Sequence, residues 1–496
     1  MSFAHSFLTD KGRLVLLLYE FSCCFFFGLS RVNAGTEPEF DLVFKNARVL
    51  DPETQLDAVR NVGIREGVIR AVSEEELRGR ETVNATGLAL SPGFIDLHQH
   101  GHSLQDYWLK AKDGVTTACE FEIGTSDIDA WYAAREGKTP LNFGVSIGHI
   151  PVRMAVLGEA PAFVPASGAA SAERTLDAPQ LAELKKCIRE GLRRGAPAVG
   201  MGLQYTPGAN SWETVEVFRL AADFKTACHV HMRFKGEHGP QNVFSAVLEL
   251  IAASSLTGAS AHVCHVQSTA NRHTPRVLEL ISNARHKGLD ISVECYPYTA
   301  GLTDIKSSIF NSGWQERAEI SYGDLQWVAT GERLTQETFE RYRKSGGMVI
   351  VHSNTEDTVR SALSHPLTMI ASDGIAGHPR NAGTCARVLG RYVREMQCLT
   401  MLQAVEKLSL LPARRLESRV PELKRKGRIQ PGADADLVLF DPQRVLDQAT
   451  YDEPNIPSAG IVHVLVNGGF VVRDGVALMG SVGGKPVRAP VEKSAQ

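Results

Sequence analysis

From about residue 92 to residue 415, short apolar runs of β character alternate with stretches of helical periodicity. Leu181 to Leu192 and Phe244 to Ala253 carry their apolar residues at helical spacing. Ala198-Val199-Gly200-Met201, Ala227 to His231, Ala261 to Val266, Ile291 to Cys295, Met348 to His352 and Thr368 to Ala371 read as buried strands. Such alternation over this length predicts an α/β chain organised as a (β/α)8 TIM-like barrel, with catalytic groups at the C-terminal ends of the strands. The segments 40–90 and 428–480 share a different texture of short β-runs and turns. They predict one small β-sandwich domain built from both chain ends. The barrel would then occupy 91–427, with 301–346 as an insertion containing Trp314 and Trp327. A lid over the barrel mouth and a plain structural insertion both suit that segment.

Several β-runs finish in residues able to bind a metal. In Ser91-Pro92-Gly93-Phe94-Ile95-Asp96-Leu97-His98-Gln99-His100, strand alternation would put Phe94, Asp96, His98 and His100 on one face. Two imidazoles so placed can grip one divalent ion. Glu120 and Glu122 alternate in the same way, as do His229 and His231; His265 and Asp373 close two further runs. Any one of these alone reads as an ordinary hydrogen-bonded residue. Together they make the ligand set of a hydrolytic zinc site.

The net charge of −3 carries no basic excess for nucleic acid. Nine cysteines occur without a CxxC pair, so buried free thiols are expected rather than a zinc knuckle or a disulfide framework. At the N-terminus, Lys11 and Arg13 precede an apolar run from Leu14 to Leu29, followed by Val32-Asn33-Ala34. Residues 1–35 are thus expected to be a signal peptide that exports the protein to the periplasm or cell exterior. Glu20 and the polar start leave a membrane anchor or a different start site as alternatives, and without a signal the protein would be cytoplasmic. No membrane association is expected of the mature form.

The ordered motifs resemble the amidohydrolase superfamily and, within it, the D-aminoacylase (N-acyl-D-amino-acid deacylase) family. They include Pro92 to Asp96 with His98 and His100, Gly114-Val115-Thr116-Thr117, Gly148-His149, His231-Met232-Arg233, Tyr296-Pro297-Tyr298-Thr299, Ser372-Asp373-Gly374 and His378-Pro379-Arg380. The resemblance covers about 40 to 480 and implies zinc-dependent hydrolysis of a linear amide, the deacylation of N-acyl-D-amino acids by metal-activated water. It places His98 and His100 on the first barrel strand, His231 on the fifth, His265 on the sixth and Asp373 on the eighth. It implies one tightly held zinc on His231 and His265, a metal cluster completed by His98 and His100, Asp373 as general base and metal neighbour, and Arg380 on the substrate's α-carboxylate. Tyr296 and Tyr298 would line the pocket. This chain departs from the family twice. The family's zinc-binding cysteine is missing after Gly-Val-Thr-Thr, where Phe121-Glu122-Ile123-Gly124 stands, so Glu122, or else Glu120, is expected in its place. Gln267 stands where a substrate-binding lysine is common. A cyclic amide hydrolase of dihydroorotase or hydantoinase type and a metal-free scaffold are the competing readings.

Overall fold

The computed structural model describes residues 39–237 and 239–492. The expected signal peptide lies outside the described residues. Among them, no helix is long and apolar enough to cross a membrane.

Eight strands form one parallel sheet in chain order: Phe94–Asp96, Val115–Thr125, Asn142–Gly148, Val199–Gly202, Ala227–His231, Ser260–Val263, Ile291–Cys295 and Thr368–Ile370. The first and eighth meet beyond their ends. Asp373 N donates to the His98 carbonyl at 2.7 Å, and His100 N donates to the Gly374 carbonyl at 2.7 Å. This seam closes the barrel beside the paired histidines. Helices cover the outside. Ala178–Arg193 starts with an Asp177 capping box and turns Leu184, Ile188 and Leu192 inward, at the spacing of one helix face.

The small domain is assembled from both ends of the chain, as expected. Its strands form one nine-stranded sheet in which Ala89–Pro92 joins Phe40–Asp51 on one side and Leu437–Phe440 on the other. The sheet curls until Val68 bridges Asp434 and encloses a core of Phe44, Val62, Ile69, Leu90, Leu437 and Leu465.

Two sequence expectations need correction. Met348–His352 is a strand, but it pairs antiparallel with Ala300–Asp304 and Leu325–Trp327 in a separate three-stranded sheet. The eighth barrel strand is Thr368–Ile370. Nor does strict alternation hold from Phe94 to His100. Phe94 packs with Tyr107, Trp108 and Ala111, whereas Ile95 and Leu97 pack with Cys119 and Phe121. Asp96 does not join the histidines. It accepts from Lys110 Nζ at 2.7 Å and from Ser372 N at 2.9 Å, and so braces the seam. The strand ends at Asp96, and the bends after it turn the imidazoles toward the site.

The second barrel strand is also irregular. Its register with the third shifts between Glu120 and Thr125, and Glu120 Oε1 accepts from Ile123 N at 3.0 Å. This bulge re-aims side chains as bulges do. Gly200 on the fourth strand makes room for it: a Cβ there would lie 2.3 Å from the Glu122 carbonyl oxygen.

Candidate metal centre

Glu122, carried on that bulge, is the hub of the site. Its Oε1 lies 2.7 Å from His231 Nδ1 and 3.3 Å from His265 Nε2. Its Oε2 lies 3.0 Å from His98 Nε2 and 3.2 Å from His100 Nε2. One carboxylate therefore serves two pairs of imidazoles, one oxygen each. Asp373 joins the His98–His100 pair, its Oδ1 standing 3.2 Å from His100 Nε2 and 3.5 Å from His98 Nε2. The structure thus brings together His98, His100, Glu122, His231, His265 and Asp373. Glu120 stands behind, with Oε2 2.5 Å from His100 Nδ1. Between the two glutamates, the central position falls to Glu122.

This donor set fits a metal. Among the described residues three groups of ligand atoms occur, and two of them share Glu122: His98, His100, Glu122 and Asp373, and Glu122, His231 and His265; the third is His98, Cys264 and Glu294. Within each group they lie within 4.8 Å of one another. Imidazoles with carboxylates suit zinc and its transition-metal neighbours better than calcium or magnesium. The outer nitrogens are held as metal-binding histidines require. Glu294 bonds His98 Nδ1, Glu120 bonds His100 Nδ1, and Gln204 Oε1 lies 2.6 Å from His231 Nε2. His265 Nδ1 is buried without a partner.

With carboxylates on both sides, the His98–His100 pair attracts positive charge, which a proton or a metal ion can supply. Burial works against a charged His98, but Glu294, Asp373 and Glu122 outweigh it and raise its pKa well above the ordinary value. His100 is raised in the same way, chiefly by Glu120 against its own burial. Burial also opposes ionisation of Glu122, yet His98 and the other imidazoles hold it well below the usual carboxylate range. His231 is lowered to about 4 by burial and by His265, which keeps it neutral and able to bind. Asp373 and His265 adopt left-handed backbone, at φ 49° and 27°. Such conformations cost about 1–3 kcal/mol for ordinary residues and cluster at functional sites.

Arg380, on helix Arg380–Arg387, is 1 % exposed. Its Nη1 is 2.9 Å from Asp373 Oδ2, but no nitrogen of the guanidinium has an aligned hydrogen-bond acceptor. The group lies over the Tyr296 ring at 4.6 Å. Buried and paired with Asp373, Arg380 does not itself line the cavity. Tyr296 lines the cavity, with its hydroxyl pushed up to about 12 by burial. Tyr298 does not line it. Its hydroxyl turns to the Pro379 carbonyl and Asp447, and Arg387 covers the ring. Gln267 is fully buried behind Tyr296, where its Nε2 donates to the Tyr296 carbonyl at 3.0 Å. It supports the pocket wall without lining the cavity. Arg153 pairs with Glu213, and Arg233 with Glu249 at 2.7 Å.

The cavity in front of the cluster holds about 270 Å³. Thr303, Ile309, Phe310 and Trp314 line it from the 301–346 segment, facing Phe163 and Phe234. Gln204 and Glu294 were missed in the sequence. A lone acid inside the buried run Ile291–Cys295 was the available signal for Glu294. Gln204 offered none.

Imidazoles and carboxylates converging as a metal-ligand set at the C-terminal mouth of a (β/α)8 barrel define a metal-dependent hydrolase. The model of the Amidohydrolase family matches residues 154–472, and the chain belongs to that family. An N-acyl-D-glutamate deacylase of Alcaligenes xylosoxydans xylosoxydans is 30 % identical over 484 residues, covering 87 % of this chain and 93 % of the relative. A D-aminoacylase of the same organism is 27 % identical, covering 86 % and 94 %. Among solved structures, N-acyl-D-glutamate deacylase from Bordetella bronchiseptica, complexed with zinc and a phosphonate inhibitor, superposes with a TM-score of 0.77 at 28 % identity, covering 91 % and 100 %.

Proposed function

We propose that this protein is a zinc-dependent N-acyl-D-amino-acid deacylase. The observation that carries the reading is the double engagement of Asp373, one oxygen toward His98 and His100 and the other toward Arg380. This suits a substrate in which a single N–Cα unit separates the scissile carbonyl from a carboxylate. The family resemblance and the named relatives support the same class.

His231, His265 and Glu122 would hold the tightly bound zinc, and His98, His100 and Asp373 would complete the cluster, with a second, weaker site. Zinc in such a site supplies Lewis acidity that polarises a carbonyl and acidifies water. Arg380 fixes the α-carboxylate, with Tyr296 beneath it. Asp373 accepts the proton of the attacking water and returns it to the leaving amine. Alone, Asp373 is a weak base, because Arg380 and His98 outweigh its burial and lower its pKa. A bound carboxylate competes for the same guanidinium and restores basicity as substrate arrives. The 301–346 segment acts as a lid whose aromatic side chains exclude water.

The cyclic-amide reading is disfavoured by Glu122. Enzymes of that type commonly use a carboxylated lysine between two zincs, and here no lysine ends a barrel strand among the described residues. A metal-free scaffold has no use for four converging imidazoles.

The test is a screen of N-acyl-D- and N-acyl-L-amino acids with bound metal quantified. Turnover of D-substrates by zinc-loaded protein is expected. Ring opening of dihydropyrimidines or hydantoins without deacylation would overturn the reading. We also propose export, checked by the mass of the mature protein.

A further inference from the structure

Lys235 is a cation lining the cavity that the proposed reaction does not use. The cavity's acids, Glu122 and Asp373, are engaged with the imidazoles. Of its bases, Arg233 is neutralised by Glu249. Arg317 is exposed and donates to the Asn311 and Ser312 carbonyls. Lys235 remains, half-buried and lining the same cavity. No carboxylate among the described residues forms an ion pair with it. Burial lowers its pKa to about 8.

The backbone explains why a lysine is enclosed there. Lys235 follows the fifth barrel strand and precedes Gly236, at φ +71°. A Cβ on Gly236 would lie 2.7 Å from the Arg317 carbonyl oxygen, so only glycine permits this approach of the loop to the insertion. The contact closes the insertion against the lysine loop. A half-buried ammonium without a counter-ion is costly and is relieved by an anion that arrives with the ligand.

We propose that Lys235 binds a second anionic group on the substrate, so that the preferred substrates are N-acyl-D-amino acids carrying a further carboxylate. This rests on the deacylase reading, with Arg380 taken by the α-carboxylate. The second carboxylate has two possible sources, the amino-acid side chain or the acyl group, and the chemistry at Lys235 is the same.

The experiment uses two isosteric pairs on the zinc-loaded enzyme: N-acetyl-D-glutamate against N-acetyl-D-glutamine, and N-succinyl-D-alanine against its succinamoyl analogue. The wild type should favour the acid in at least one pair. Lys235→Met should reduce that acid-to-amide ratio of kcat/KM by about ten- to a hundred-fold, mostly through KM, as loss of a charge-assisted hydrogen bond does. Lys235→Arg should restore most of it. Calorimetric binding of the same pairs to metal-free protein should show the same ranking. The pair that responds identifies the source. Equal turnover of acid and amide in both pairs, or ratios unmoved by Lys235→Met, would overturn the proposal and leave the deacylase reading standing. If none of the four compounds is hydrolysed while other N-acyl-D-amino acids are, this inference fails and the deacylase reading stands; if no N-acyl-D-amino acid is hydrolysed, both fail.

Discussion

Glu122→Gln is the sharpest test of the metal centre. The substitution keeps the shape of the side chain and removes its charge. Among the described residues, the carboxylate is the one group that touches both imidazole pairs, at 2.7 and 3.3 Å through one oxygen and 3.0 and 3.2 Å through the other. An amide offers one neutral oxygen and turns an NH2 group toward the other pair, so at least one side loses its acceptor. Loss of an outer partner of a metal ligand typically costs 10–100-fold in affinity, so loss of the shared ligand should cost about a hundred-fold or more, roughly 2.7 kcal/mol. Glu120→Gln is the control. Glu120 touches the cluster through His100 Nδ1 and otherwise accepts from Ile123 N in the bulge, an acceptor role that the glutamine oxygen keeps, so this variant should stay within the smaller range. The assay is zinc bound per protein after equilibrium dialysis against a graded series of buffered free zinc, with thermal melting to verify folding. Unchanged zinc affinity in Glu122→Gln would refute the shared-carboxylate arrangement. A larger loss in Glu120→Gln than in Glu122→Gln would move the ligand role to Glu120.

Asp373→Asn should lower kcat by about 10²–10⁴-fold, the scale of losing a positioned general base, and near-normal turnover would remove the assignment. Arg380→Lys keeps charge but loses the fork, so kcat/KM for N-acyl-D-amino acids should fall by about ten-fold or more, measured against α-amidated analogues. The amidated analogues should be affected less, and equal harm to both would make Arg380 a support for Asp373 only. Zinc removal should lower the melting temperature. At free zinc 100-fold above Kd, binding contributes about 2.7 kcal/mol, and an unchanged melting curve after chelation would argue against a site of this strength.

Much of the site is legible in the sequence because ligands of a parallel barrel gather at strand ends, and a strand end is a local event. His231 closes the fifth strand, and Asp373 follows the eighth by three residues. What failed depended on partners far away in the chain. Met348–His352 has the composition of a barrel strand, and only its antiparallel pairing with Ala300–Asp304 shows that it belongs to the insertion. The grouping of Tyr298 with Tyr296 gave way to Asp447, 149 residues distant, which draws its hydroxyl away from the cavity. Gln267 could not be recognised as a support without knowing that the Tyr296 carbonyl lies before it.

The departure at Glu122 shows how local irregularity and site chemistry are coupled. A regular second strand would carry Phe121 and Glu122 to opposite faces. The bulge breaks that rule, letting Phe121 pack in the barrel core while Glu122 reaches the metal cluster. Gly200 on the fourth strand leaves the space that the bulge needs. In the family that this chain resembles, a cysteine stands after the same strand. A thiolate offers one soft, strongly donating atom, whereas a carboxylate offers two harder oxygens. The exchange therefore trades electron donation for reach, and each oxygen of Glu122 attends one imidazole pair. A metal held this way would receive less charge from its ligands and be the stronger Lewis acid. The outer carboxylates Glu120 and Glu294, each bonded to the far nitrogen of a ligand histidine, return part of that donation through the imidazoles.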